Sequence, residues 1–347
     1  DKSVLDFVHK GFDYALIYSA SRDISAAVES AQWPEGDSLG SFHVVISTKG
    51  GAIVISDSSD HIYTEDEIGT KGLALVVDVG GNDSYKVPVG ANSSESNPIS
   101  VAIDLGGDDT YGYEESAPGS DAPRILADDG SGRYDVGSVD GFLSGPISFS
   151  QISRQGGARV GSALLFDLGQ GQDNYHSLRM SQGFACLGVG VLYDDGGSDN
   201  YECESGCQGS GMFGIGLLID SGDDDDQWLS WSNSQGFAYL RGYGLLADHG
   251  GDDSYTCVQG AANDYLYYSP QKPESGNSSM CQGFGFGRRA DMGDGVSLSG
   301  GLGMLRDLAG NDTYRADVAS AQAAVDLAQA SVDAAQETVT RYENLLG

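Results

Sequence analysis

Three segments of this chain alternate small and apolar positions and then stop at an acid: GVGVLYD (188–194), GIGLLID (214–220) and GYGLLAD (242–248). Alternation of this kind predicts a short strand, and the Asp-Gly signal after it predicts a turn. The order apolar stretch, Asp, Gly-rich turn, second Asp, aromatic recurs in eight segments, one of which has Gly132 in place of the second Asp. The segments are VVDVGGNDSY (76–85), AIDLGGDDTY (102–111), LADDGSGRY (126–134), LFDLGQGQDNY (165–175), LYDDGGSDNY (192–201), LIDSGDDDDQW (218–228), LADHGGDDSY (246–255) and LRDLAGNDTY (305–314). Their first aspartates are separated by 26, 24, 39, 27, 26, 28 and 59 residues. The two long steps imply a loop insertion and a degenerate or doubled unit, and AIVISDSSDHIY (52–63) reads as an imperfect earlier copy.

A second signal keeps the same register. Gln155, Gln182, Gln208 and Gln235, each followed by Gly, precede the next repeat Asp by 12, 12, 12 and 13 residues, and Gln282 precedes Asp307 by 25. Helices are a poor reading of these units, because Gly costs about 1 kcal/mol in a helix interior. A unit this small cannot bury its own apolar face, so the copies must stack. The predicted fold is all-β, a parallel β-solenoid or β-helix of about 26 residues per coil. Coils would sit about 4.8 Å apart. Tyr85, Tyr111, Tyr134, Tyr175, Tyr201, Trp228, Tyr255 and Tyr314 would then form a ladder.

The ends differ from the middle. Residues 3–31 are helix-like, with Val4, Leu5, Val8, Phe12, Ala15 and Leu16 on one face. An N-terminal helical cap over 1–40 would cover the first coil, whose open edge would otherwise invite another strand. Solenoid repeats then fill 41–315, with an insertion at 258–280 rich in Tyr, Ser, Asn and Gly. In 316–347 Val318, Val325, Val332, Val339 and Leu346 recur every seven residues, with Ala321, Ala328, Ala335 and Tyr342 three positions later. That pattern predicts a C-terminal α-helix for capping or self-association. The segment RADVASAQAAVDLAQASVDAAQETVTRYENLLG resembles the first arm of the α-hairpin of periplasmic adaptor (membrane-fusion) proteins. The resemblance covers about 33 residues and implies an accessory role in a bacterial secretion or efflux assembly.

Charge narrows the list of partners. The chain has 347 residues, 51 Asp plus Glu against 18 Lys plus Arg, and a formal charge of −33. A surface this negative repels nucleic acid, and no apolar run reaches the roughly 18 residues that a membrane span needs. A hydrophobic share of 39% is enough for a core. Such acidity also suits a salty environment. The chain begins at Asp1 with neither Met nor an apolar leader, as expected after removal of a signal peptide or in a piece of a longer chain.

Stacking would place the repeat aspartates in two columns. Carboxylates about 4.8 Å apart repel by roughly 1 kcal/mol in water and 3 to 4 at an effective dielectric of 20, so relief is required. Calcium relieves it with six to eight oxygen ligands. The candidate ligands are Asp78, Asp83, Asp104, Asp109, Asp194, Asp199, Asp220, Asp223, Asp224, Asp225, Asp226, Asp248, Asp253, Asp307 and Asp312, with 223–226 the densest cluster. The other reading is turn chemistry, since Asp and Asn side chains bond nearby backbone N–H groups, with salt relieving the charge. GGNDSY (80–85), GGDDTY (106–111) and AGNDTY (309–314) resemble the nonapeptide GGxGxDxUx of RTX proteins, a parallel β-roll family. That resemblance implies calcium ions between adjacent Gly-Asp turns.

Four of the five cysteines sit on repeat positions. Cys203 and Cys257 follow their aromatics by two, whereas Cys207 and Cys281 immediately precede Gln-Gly. Equivalence predicts Cys203–Cys207 and Cys257–Cys281 bridges, leaving Cys186 over. Free thiols in a reducing compartment are the alternative. Bridges favour an extracellular, cell-surface or periplasmic location.

No catalytic motif stands out among the five scattered histidines and the Gly-rich turns. A polysaccharide-acting β-helix enzyme would need a basic residue near its acids, and the candidates are Arg154, Arg159, Arg179, Arg241, Arg288 and Arg289. The reading favoured here is a secreted or surface-exposed structural or binding scaffold for a protein or glycan partner. Tyr265, Tyr267 and Tyr268 in the insertion are its candidate contact surface, because aromatics are enriched at recognition surfaces.

Overall fold

The computed structural model describes residues 11–34, 40–69, 72–92, 96–113, 133–139, 143–148, 153–230, 232–257, 280–287 and 297–315. The chain is mostly β, and nearly all of its strand pairing is parallel. Among the described residues the repeats feed three sheets. A nine-stranded sheet collects the long strand of each repeat, including Leu73–Asp78, Ile99–Asp104, Gly161–Asp167, Gly188–Asp194, Ile215–Asp220, Tyr243–Asp248 and Leu302–Asp307. An eight-stranded sheet collects the short strand that carries the aromatic, from Ile62–Tyr63 to Thr313–Arg315. A four-stranded sheet collects Ala185–Cys186, Gly211–Met212, Ala238–Tyr239 and Gly285–Phe286.

Register follows the sequence repeat residue for residue. Asp104 pairs with Asp167, Asp167 with Asp194, and Asp194 with Asp220. Tyr111 pairs with Tyr175, Tyr175 with Tyr201, and Tyr201 with Trp228. The imperfect copy at 52–63 takes its place at the start, with Ser56 opposite Asp78 and Tyr63 opposite Tyr85. One expected repeat does not. Strand Thr110–Tyr111 pairs directly with Asn174–His176, and residues 133–139 instead form an antiparallel hairpin with 143–148. Tyr134 is therefore outside the aromatic ladder, and Tyr63 is inside it. The segment 126–134 lacks the second Asp, having Gly132 there, and so lacks one of the groups that bond each repeat to the next.

The intervals between aromatic and Gln explain the irregular spacing. Gln182 stands 7 residues after Tyr175, Gln155 stands 44 after Tyr111, and Gln282 stands 27 after Tyr255. Both extra lengths fall at the same point of the repeat, between the aromatic strand and the Gln-Gly corner. The long step to Asp307 also includes extra residues between Gly285–Phe286 and Leu302–Asp307, and both of these strands pair with strands of the same preceding repeat.

The core lies between the nine- and eight-stranded sheets. Val54, Val76, Ala102, Leu165, Leu192, Leu218 and Leu246 are buried against the aromatic column from Tyr63 to Tyr255. Consecutive rings stack, with centroids 4.6 Å apart for Tyr63–Tyr85, 4.8 Å for Tyr175–Tyr201 and 3.9 Å for Tyr201–Trp228. Truncating one of these leucines to Ala costs about 2–5 kcal/mol. The Gln-Gly corner is equally constrained. Gln182 and Gly183 both have positive φ, and a Cβ on Gly183 would lie 1.6 Å from the Leu217 carbonyl oxygen.

The N-terminal helix, Tyr14–Ser30, is capped by the Asp13 side chain, which accepts from the Leu16 N–H at 3.0 Å. It does not cover the first repeat. It packs on the outer face of the nine-stranded sheet, against Gly161–Asp167 and Gly188–Asp194, and Ser21 hydrogen-bonds Ser162 at 2.7 Å. Its inward face is Ile17, Tyr18, Ile24 and Val28, while Leu16 is 64% exposed. The reason is that this sheet is apolar on both faces: Val101, Ile103, Leu164, Phe166, Val189 and Val191 point outward and need a cover. The first edge is instead covered by strand His43–Thr48, which pairs antiparallel with Gly51–Ser56. The C-terminal segment 316–347 lies outside the described residues.

Candidate functional site

The aspartate columns run through the interior. Twelve repeat aspartates, from Asp78 to Asp253, are buried. The first Asp of each repeat ends its long strand. One of its oxygens accepts the N–H two residues on, as in Asp104 with Gly106 at 2.9 Å and Asp220 with Gly222 at 3.0 Å. The other oxygen accepts the phenol of the preceding repeat: Tyr85 to Asp104, Tyr111 to Asp167, Tyr175 to Asp194 and Tyr201 to Asp220, at 2.5–2.8 Å. Tyr63 bonds Asp78 in the same way, and at the far end the Trp228 indole donates to Asp248 at 3.2 Å.

The second Asp of each repeat accepts, through Oδ1, the backbone N–H of its counterpart one repeat earlier. The rungs are Asp83 to Asp109 at 2.6 Å, Asp173 to Asp199 at 2.7 Å, Asp199 to Asp226 at 2.8 Å and Asp226 to Asp253 at 2.8 Å. Oδ2 of Asp83, Asp109, Asp173 and Asp253 is buried without a donor while every carboxyl is ionised. A proton resolves this. Burial, helped by the charges of neighbouring aspartates, pushes Asp83 and Asp173 up to about 9, Asp109 and Asp199 to about 7, Asp226 to about 11 and Asp253 to about 8. The two carboxyls of a repeat lie within hydrogen-bonding reach in the pairs Asp78/Asp83, Asp167/Asp173 and Asp220/Asp226. Two carboxylates this close in a dry interior do not both ionise, so each pair shares one proton and titrates as a unit.

The same oxygens form the sets that could hold a metal. Oxygens of Asp78, Asp83 and Asp104 lie within 4.8 Å of one another, as do those of Asp104, Asp109 and Asp167, of Asp194, Asp199 and Asp220, and of Asp226, Asp248 and Asp253. An all-carboxylate donor set fits a hard divalent ion such as calcium, and these residues would hold it. Most of the oxygens already accept an N–H or phenol, however, and the one left over per repeat suits a proton better than an ion with six to eight ligands. Asp167 and Asp173 belong to this interior although the ligand reading of the sequence passed over them.

The remaining candidates divide between surface and interior. Asp226 is buried, whereas Asp223, Asp224 and Asp225 are exposed. Asp225 accepts the Asp252 N–H at 2.8 Å, one rung of an outer column that includes Asp108 to Asn82 at 3.1 Å and Asn311 to Asp252 at 2.9 Å. These side chains bond the turn of the neighbouring repeat, whereas the local turn bond belongs to the first Asp of each motif. Asp307 and Asp312 are half-buried at the last described repeat. Tyr265, Tyr267 and Tyr268 lie outside the described residues, as do Arg288 and Arg289.

Both cysteine pairs form disulfides, Cys203–Cys207 with a Cα separation of 6.6 Å and Cys257–Cys281 with 6.4 Å. Cys186 is free and half-buried, and burial pushes its thiol up to about 11.

Two sets of side chains carry roles that the sequence reading did not assign. Gln155, Gln182, Gln208 and Gln235 use Nε2 to bridge carbonyls of two successive repeats: Gln182 bonds Tyr175 and Glu202 at 2.9 and 2.8 Å, and Gln208 bonds Tyr201 and Leu229 at 3.0 and 3.1 Å. Their strict register was the signal. At the first repeat, His43 Nδ1 lies 3.0 Å from Ser56 Oγ, and its Nε2 lies 2.6 Å from Glu67. This imitates a nucleophile triad, but Ser56 is fully buried and also bonds Tyr63 at 2.6 Å, so it has no path to a substrate. Arg154 is likewise engaged, over the Tyr113 ring at 4.2 Å and bonded to the Gly112 carbonyl at 2.9 Å.

Comparison with known proteins finds no family model, no curated protein and no solved structure that matches this chain.

Proposed function

We propose that the chain is a parallel β-solenoid serving as a structural or binding scaffold outside the cytoplasm, for a protein or glycan partner. One observation carries the reading: among the described residues the two motif aspartates, the aromatic and the Gln of the repeats are turned inward and bond the neighbouring repeat. The outer column of Asn82, Asp108, Asp225, Asp252 and Asn311 also joins repeat to repeat, so the recurring polar groups serve the stack. The two disulfides support an oxidising location, as does the acidity for a solvated surface.

Excising one unit, residues 195–220, tests the reading, because it joins positions already in register. A folded monomer with unchanged β content by circular dichroism and a modestly lower Tm is expected; collapse of the variant would overturn it. Incubation of the parent chain with polyuronates separates the rival enzyme class: no new reducing ends and no unsaturated products are expected.

Calcium in the interior is a second reading, favoured by carboxylate oxygens within 4.8 Å of one another. The ion would replace the shared protons, so its effect belongs to alkaline pH. The heptads of 316–347 supply the proposals of self-association and of a secretion or efflux accessory. A sedimentation comparison of the whole chain with a version ending at Arg315 distinguishes these from the scaffold alone.

A further inference from the structure

We propose that the cavity between the end of the N-terminal helix and the outer face of the nine-stranded sheet binds a small organic cation with an apolar body, of the aryl- or alkylammonium class. Its volume is about 540 Å³, within the range of small-molecule sites. Three aromatic rings line it: Trp33 from beyond the helix, and Phe166 and Tyr193, which are register partners on adjacent strands. Leu217 adds apolar wall from the next strand.

Every charged residue on the lining is acidic. Glu29 and Asp195 contribute carboxylates, and no Lys, Arg or His takes part. The cavity also adjoins a helix C-terminus whose last turn carries no basic side chain, so no cation of the chain's own sits at its negative end. An anion is therefore repelled. A cation gains from the carboxylates, the helix end and the ring faces together.

The walls are fixed in advance. The Trp33 indole donates to the Val28 carbonyl at 3.2 Å, holding its ring against the helix end. Asp195 Oδ1 accepts both the Tyr193 phenol at 2.8 Å and Ser221 Oγ at 3.1 Å, which orients the carboxylate. Such a site requires only the helix and three adjacent strands, whatever the rest of the chain does.

Titration calorimetry with benzyltrimethylammonium, benzyl alcohol and benzoate tests the proposal on the intact chain. Saturable one-to-one binding of the ammonium is expected, with benzyl alcohol at least tenfold weaker and benzoate silent. Asp195→Asn and Trp33→Ala should each weaken the ammonium tenfold or more, while Trp33→Phe keeps most of the affinity. Glu65→Gln removes the same charge from the remote helix Glu65–Ile68 and should change nothing. Circular dichroism of each variant confirms that the fold is kept. Absence of saturable binding, equal binding of benzyl alcohol, or an equal loss in Glu65→Gln would overturn the proposal, the last by reducing it to bulk charge.

Discussion

The Tyr175 phenol donates to the Asp194 carboxylate of the following repeat at 2.5 Å, and its ring stacks on Tyr201 at 4.8 Å. One side chain thus supplies apolar packing to the core and the polar donor that a buried acid requires. The same double use recurs from Tyr63 to Tyr201.

Removing only the donor separates the two uses. Tyr201→Phe keeps the stack on Trp228 but leaves Asp220 without its 2.8 Å bond. Destabilisation of about 1–3 kcal/mol is expected from urea unfolding, as for a buried acceptor that loses its partner. Wild-type stability in this variant would mean that the phenol contributes nothing to holding the acid.

Stability should fall as pH rises. The second aspartates are held well above the usual carboxylate range, between about 7 and 9 for Asp83, Asp109, Asp173, Asp199 and Asp253. Between an unfolded value near 4 and these folded values, the native state binds more protons than the unfolded one. Their contribution is complete below about pH 4 and is lost as pH passes through 7 to 9, so Tm should be higher at pH 5.5 than at pH 9. Millimolar calcium should raise Tm at pH 9 and leave it unchanged at pH 5.5, with a chelator reversing the gain. A Tm that climbs toward pH 9 without added metal would contradict the shared protons.

The bridging glutamines each hold two repeats through one amide. Gln208→Ala leaves the Tyr201 and Leu229 carbonyls without its two bonds. About 2–4 kcal/mol should be lost in equilibrium denaturation, at roughly 1–2 per bond. Gln208→Glu should cost more, since a carboxylate would face two carbonyl oxygens.

The two disulfides should differ in weight. Cys257–Cys281 closes a sequence separation of 24 and Cys203–Cys207 one of 4. Loop entropy assigns about 3 kcal/mol to the former and less to the latter. Thermal melts of the paired Cys257→Ser/Cys281→Ser and Cys203→Ser/Cys207→Ser variants should show the larger drop in the first.

Much of this architecture is legible in the residues. The period of the Asp–aromatic motif, the short strands that end at Asp and both disulfide pairings follow from positional equivalence alone. The spurious copy at 126–134 shows the limit of pattern, because its composition and its step from Asp104 match while the second Asp is missing and the turn is one residue short. Helix placement was also illegible: Leu16 looks inward by spacing, yet Val28 is buried and Ile17, Tyr18 and Ile24 half-buried against the sheet. An amphipathic stretch records that it needs an apolar surface, and the surface it meets is made elsewhere.

By itself the sequence determined which residues are equivalent, because equivalence is a property of order along the chain. Only the tertiary structure decided that the aspartates face inward. A carboxylate beside a glycine turn is equally good chemistry on a wet surface or in a dry core. What selects the core is that a phenol of the preceding repeat reaches the first Asp and a backbone N–H of the preceding repeat reaches the second, contacts that no single repeat contains.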